Sequence, residues 1–284
     1  MAYTKKEYIS CNHIEYEFYY QGDYGSRGEK KKSEKATPLK IKEYNHWQQE
    51  KRVRRLIQLN FFEDDYYTTL KYKAGTRKDI EALKKDIRKF LRSLKTKYKR
   101  AGRELKFIYR IEIGKQGGLH VHMIINRIPE ADLLMKDSWK RASEDTGSIN
   151  FTTIKEENGF EGLAKYICKQ PDEEIEGQLK FTAQEESNKR IFAVSTSRNL
   201  KRPEPVKKKY NHWTMRKILE NGPKPTPGFF IDKDSIVIGV NPFNGYTYYC
   251  YRESRINPIT RSEYENDSTD KHIYPYKHKD SYKA

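Results

Sequence analysis

From Asp65 onward the chain alternates between stretches of period two and stretches of period three to four. Tyr66–Tyr72 (YYTTLKY) is aromatic and β-branched, and predicts a strand. After a turn at Ala74 and Gly75, the residues Ile80, Leu83, Ile87, Phe90, Leu91 and Leu94 predict an amphipathic helix over 77–98. Thr76 with Asp79 three positions later reads as its capping box, Asp replacing the usual Glu. Two strands, 106–113 and 119–126, flank the glycine turn GKQGG. A helix over 129–143, a strand over 148–154, and a helix capped by Asn158 and stopped by Pro171 follow. An acidic loop at 172–188 leads to a last strand over 190–195. Strands joined by a tight turn are antiparallel, so the order predicts an α+β fold, a central antiparallel sheet with helices packed on one face.

The flanks are less regular. Residues 1–60 read as a basic N-terminal arm, polar rather than core-forming, with a mobile stretch at 21–38. It ends in a basic helix over 43–60 that carries Arg52, Arg54 and Arg55 as candidate phosphate contacts. Residues 61–200 form the catalytic domain. Residues 201–284 read as a C-terminal extension with a short helix near Trp213, a hairpin around 241–245 (NPFNG) and a disordered tail.

Charge changes the picture. Lys and Arg number 57 against 40 Asp and Glu, a net +17, and the excess is spread over all parts of the chain. Together with 22 Tyr, that surplus points to a polyanion, and to single strands whose phosphates meet cations and whose bases stack on rings. Three scattered cysteines make no zinc pattern or disulfide framework, and no apolar run reaches membrane length. A cytoplasmic protein is expected.

The chemistry concentrates on the hairpin. His120 and His122 are two apart on a strand and point the same way, while Val121, Met123 and Ile125 pack opposite. Centring the turn on Gln116 sets Ile111 against Val121, Glu112 against His120 and Arg110 against His122. A one-residue slip would scatter the apolar set over both faces. Two imidazoles and a carboxylate suit Mn²⁺ or Mg²⁺ acting as a Lewis acid on phosphate. In the following helix Phe160, Leu163, Ala164 and Ile167 form an apolar stripe. Tyr166 projects roughly 110° from its centre, on the same side as Lys169. A phenol beside an ammonium and a metal is a candidate nucleophile.

Three motifs now stand in order: Thr69-Leu70-Lys71-Tyr72, His120-Val121-His122 and Tyr166-Ile167-Cys168-Lys169. With the basic RVRRLIQLNF before them and STSRNLKRP after, residues 50–205 resemble the HUH endonucleases, specifically single-tyrosine rolling-circle replication initiators of bacterial phages and plasmids. The resemblance implies Tyr166 as nicking nucleophile and Lys169 as phosphate-positioning residue. It implies His120 and His122 as metal ligands, with Glu112 the third. Arg110 and Arg198 join the arm's arginines as candidate DNA contacts. The implied partners are single-stranded origin DNA and a separate host helicase, because no Walker loop is present. A transposase or mobilisation relaxase of the same chemistry, and a DNA-binding regulator without cutting, are the alternatives.

Overall fold

The computed structural model describes residues 3–20, 37–76, 78–114, 118–169, 193–210 and 215–266. Readings that fall elsewhere lie outside the described residues: the stretch at 21–36, the turn centre Gln116, Pro171, the acidic loop, Trp213 and the final residues. The chain divides into two compact units. One comprises 60–156 and 162–200; the other comprises 1–59, 157–161 and 201–284.

The first unit carries the expected order: β3 (Tyr66–Tyr72), α2 (Ile80–Arg100), β4 (Phe107–Ile113), β5 (Leu119–Ile125), α3 (Ala131–Ala142), β6 (Gly147–Thr153), α4 (Glu161–Cys168) and β7 (Ser195–Thr196). The antiparallel sheet runs β6-β3-β5-β4-β7. Ile111 pairs with Val121, Glu112 with His120 and Arg110 with His122, the register that the apolar alternation demands. One face carries Leu70, Ile111, Val121, Met123 and Ile125 into a core with Leu83, Ile87, Phe90 and Leu94 of α2 and Met135 and Trp139 of α3. Phe90 is fully buried there, and truncating such a ring to Ala costs about 3–5 kcal/mol. That packing leaves the other face for polar side chains and α4.

Local details differ from the sequence reading. No Thr76 capping box forms: Asp79 itself caps α2, accepting from the Ala82 N–H at 2.8 Å, while the Thr76 hydroxyl donates to Lys73 O. A residue with a carboxylate next to the first helical position is the better cap, because it satisfies an orphan N–H and faces the helix dipole. Asn158 does not simply cap the fourth helix. It lies in a 3-10 turn, Glu157–Phe160, where it and Gly159 take left-handed backbone conformations before α4 begins at Glu161. The last strand is short, Ser195–Thr196, pairing with Ile108 and Tyr109.

The second unit overturns the polar-arm reading. β1 (Tyr3–Ile9) and β2 (His13–Tyr20) form a hairpin inside a second antiparallel sheet, ordered β8-β1-β2-β10-β9. Its other strands are β8 (Val206–Tyr210), β9 (Phe229–Val240) and β10 (Thr247–Arg255), the last two forming the hairpin expected around 241–245. Tyr3, Ile14, Tyr16, Phe18, Tyr249 and Tyr251 build a largely aromatic core on one face. The opposite face of β2 presents Glu15 and Glu17 to α1 (Pro38–Asn60). Two short helices complete this unit, α5 (Arg216–Asn221) and α6 (Arg261–Asn266). The segment looked polar because its charges are neutralised by partners distant in sequence, which no local pattern reveals. Cys11, Cys168 and Cys250 are all free and buried. Among the described residues no helix is long and apolar enough to cross a membrane.

Candidate active site

The polar face of the first sheet assembles the site. Side chains directly across a ladder share a face, so Thr69 of β3, His122 of β5 and Arg110 of β4 form one row. Lys71, His120 and Glu112 form the next. Gly114 begins the turn beyond them, and a methyl group there would meet the His120 ring at 3.1 Å. The absence of a side chain at Gly114 therefore gives that imidazole its place.

His122 is the best anchored member. Its Nδ1 lies 2.6 Å from Tyr67 Oη and 3.3 Å from Thr69 Oγ1. Its Nε2 stands 2.6 Å from Glu112 Oε2. That oxygen sits off the line of a ring N–H, and the buried nitrogen has no hydrogen-bond partner. The short contact with His122 holds the Glu112 carboxyl below its ordinary value; burial opposes this, and Lys169 and Arg110 assist. Glu112 is therefore an anion at neutral pH.

α4 brings Tyr166 over this face. The helix buries Ala164 and Ile167, as its stripe predicts, and leaves Tyr166 about half exposed at 49%. The Tyr166 ring stands edge-on to His122 with centroids 5.4 Å apart, and edge-on to Tyr67 at 5.7 Å. Tyr67 stacks beside His122 at 5.9 Å, so three rings converge. Burial raises the Tyr67 pKa, and the neighbouring Tyr166, with which it shares a hydrogen bond, raises it further. Tyr67 stays a neutral phenol. Sequence reading missed it, because an aromatic residue on a strand needs no further explanation; the pairing of β3 with β5 is what places it.

Other candidates divide. Lys169 follows α4, exposed, with its charge felt at Glu112. Arg110 is buried: its Nη1 donates to Ile167 O at 3.5 Å, its Nε has no partner, and burial lowers its pKa. It braces the base of the site rather than lying open to a phosphate. Arg198 is exposed just beyond β7. Arg54 and Arg55 are not phosphate contacts. Arg54 Nε donates to Glu15 Oε1 at 2.6 Å, and Arg55 donates to Glu15 and Glu17 at 2.8 Å each. A guanidinium held by buried carboxylates has no donors left to offer a strand. Arg52 alone of the three is exposed.

The metal expectation meets a mixed geometry. Among the described residues no group of three His, Cys, Asp or Glu side chains closes into a ligand cluster. The His120 and His122 rings lie 6.3 Å apart at 90°. Yet the donor types suit a divalent cation, and the orphaned Nε2 of His122 beside the Glu112 carboxylate is the atom such an ion would take. The residues fit the group.

Comparison with known proteins adds one match. No curated protein and no solved structure matches the chain. Residues 65–171, which run from the start of β3 past the end of α4 and include every residue of the three-ring site, are similar to the family described as Replication-associated protein ORF2.

Proposed function

We propose that this chain is a rolling-circle replication initiator that nicks and rejoins single-stranded origin DNA through Tyr166. The observation that carries the reading is the Tyr166 ring, half exposed on α4 and 5.4 Å from the ring of His122. The similarity of residues 65–171 to replication-associated proteins supplies the substrate class. A strand laid on the polar face would meet Lys169 and Arg198 on its phosphates and Tyr166 at the scissile one.

His120, His122 and Glu112 would hold a divalent cation, Mn²⁺ or Mg²⁺. When bound, it supplies Lewis-acid polarisation of a non-bridging phosphate oxygen. Tyr67 sets the tautomer: with Nδ1–H of His122 donating to Tyr67 Oη, the Nε2 lone pair faces Glu112. Tyr166 Oη attacks phosphorus, its proton passing to a neighbouring base. The bond to the 3′ oxygen breaks, and that oxygen leaves as a 3′-hydroxyl after taking up a proton. The product is a 5′-phosphotyrosine link of similar energy to the bond lost. Attack by a 3′-hydroxyl on the link reverses the step, so joining needs no nucleotide triphosphate. Unwinding belongs to a separate helicase.

The test uses oligonucleotides tiling the DNA that flanks the coding sequence, incubated with the full chain and Mn²⁺. Mass spectrometry should find a nucleotide on Tyr166, and Tyr166→Phe should abolish both adduct and nick. Undiminished nicking by that variant would remove the nucleophile assignment. Chelator should stop cleavage and added Mn²⁺ or Mg²⁺ restore it; cleavage that persists in chelator would remove the cation.

A further inference from the structure

A cavity of about 290 Å³ opens in the second unit, between the early turns of α1 and the face of β1, β2 and β10. Rings make its walls. Trp47 and Tyr248 face each other with centroids 5.3 Å apart and planes 30° from parallel, and Tyr44 stands 5.8 Å from Trp47. Tyr19 lines the β2 side. All four are only half-buried, unlike the closed aromatic core on the other face of the sheet. Between the rings sit amides, Asn241 and Gln48, which offer donors and acceptors together. Asn241 Nδ2 already reaches Tyr44 Oη at 3.4 Å.

The charge around the cavity is positive. Glu17 is matched by Lys51 and Arg55, and Glu15 by Arg54 and Arg55. That leaves Lys6, whose Nζ lies 4.6 Å over the Tyr19 ring, as a surplus cation at the cavity wall. Across the ladder, Lys6 pairs with the exposed Lys207 of the edge strand β8, and Lys209 follows on the same face.

We propose that this cavity receives a nucleobase of single-stranded DNA, with Lys6, Lys207 and Lys209 tracking the phosphates beside it. Half-open rings give a base something to stack on, amides meet its hydrogen-bonding edge, and the lysine row follows a backbone. A lipid or an apolar peptide would leave those amides and cations unmatched. The inference takes its polymer from the replication reading but does not depend on Tyr166 chemistry. It would give the flanking unit a role in gripping the strand.

The experiment separates the two. Full-length Tyr166→Phe protein, in chelator so that no cutting occurs, is titrated with a mixed-sequence single-stranded oligonucleotide of roughly 16 nucleotides. Anisotropy of a labelled strand reports affinity, and tryptophan fluorescence with an unlabelled strand reports the cavity. The strand should quench fluorescence, Trp47→Phe should remove that quench, and Lys6→Ala and Gln48→Ala should each weaken affinity by several-fold, Tyr248→Ala by roughly tenfold. Circular dichroism confirms that the surface variants Lys6→Ala and Gln48→Ala stay folded. Binding by anisotropy without a Trp47-dependent signal overturns the cavity assignment and leaves the replication reading standing. Wild-type affinity in both surface variants overturns it as well. Equal quenching by a mononucleotide at the same concentration overturns the assignment to a strand. No anisotropy change at all would remove the DNA reading itself.

Discussion

A phenol 2.6 Å from one nitrogen of an imidazole decides which nitrogen remains for other work, and at His122 that phenol is Tyr67. Removing only its hydroxyl keeps the ring stacked on His122 but frees Nδ1. Partners of this kind are worth about 10–100-fold in affinity or activity, so Tyr67→Phe should lower the nicking rate by that order. Thr69 Oγ1, at 3.3 Å from the same nitrogen, can stand in part way. The double variant Tyr67→Phe with Thr69→Val should therefore fall further, in steady-state rates and in the Mn²⁺ concentration giving half-maximal activity. Equal metal dependence in the wild type and both variants would reduce Tyr67 to packing. Gly114→Ala tests the other histidine. A methyl 3.1 Å from the His120 ring must push it, so activity should drop while thermal stability barely moves. Of these residues the histidines and Glu112 were legible in advance, since the alternation of Ile111, Val121 and their neighbours allows one register only. Tyr67 and Gly114 were not, because their roles depend on distances that an alternating pattern does not encode.

At the scale of elements, α1 and β2 are joined by charge as much as by apolar contact. Burial alone would raise the Glu15 carboxyl, but Arg54 and Arg55 outweigh it and hold the group far below its ordinary value of 4.5. Glu17 is held down in the same way by Lys51 and Arg55 against its own burial. The sign follows: groups with depressed folded-state values contribute stability that is fully present above the unfolded value and fades as pH falls through the folded one. The second unit should hold its stability from neutrality to about pH 4.5 and then lose it steeply, as acid titration by circular dichroism would reveal. Arg55→Ala leaves two buried carboxylates short of a partner and should destabilise by about 3–5 kcal/mol in urea. A change below roughly 1 kcal/mol would mean that water already screens the network. The strands and helices of the first unit were readable because each carries its own period. β1 and β2 were not, because Glu15, Glu17 and Lys6 break the apolar pattern and are matched only by residues of α1 and by strands at the far end of the chain.

Across the whole molecule, the hairpin at the N-terminus pairs with β10, whose residues lie more than two hundred positions later, Tyr16 against Tyr251. The first unit, by contrast, draws almost entirely on neighbours in sequence, which is why a continuous family match covers 65–171 and stops there. The net charge of +17 is likewise not one undifferentiated field. Part of it is consumed inside the fold, by Glu15 and Glu17, and only the remainder can displace counterions from a strand. Binding of single-stranded DNA should weaken with salt, the slope of log K against log salt falling by about 0.7 for each cation that meets a phosphate. Arg52→Ala and Arg198→Ala, exposed in the two units, should each flatten that slope by about this amount. Arg54→Ala should leave the slope as it is and show itself in stability, since its charge already belongs to Glu15. Anisotropy titrations at several salt concentrations distinguish the cases. If Arg54→Ala flattened the slope as much as Arg52→Ala does, the internal pairing would have to open when DNA arrives, and the arm helix would return to the binding surface.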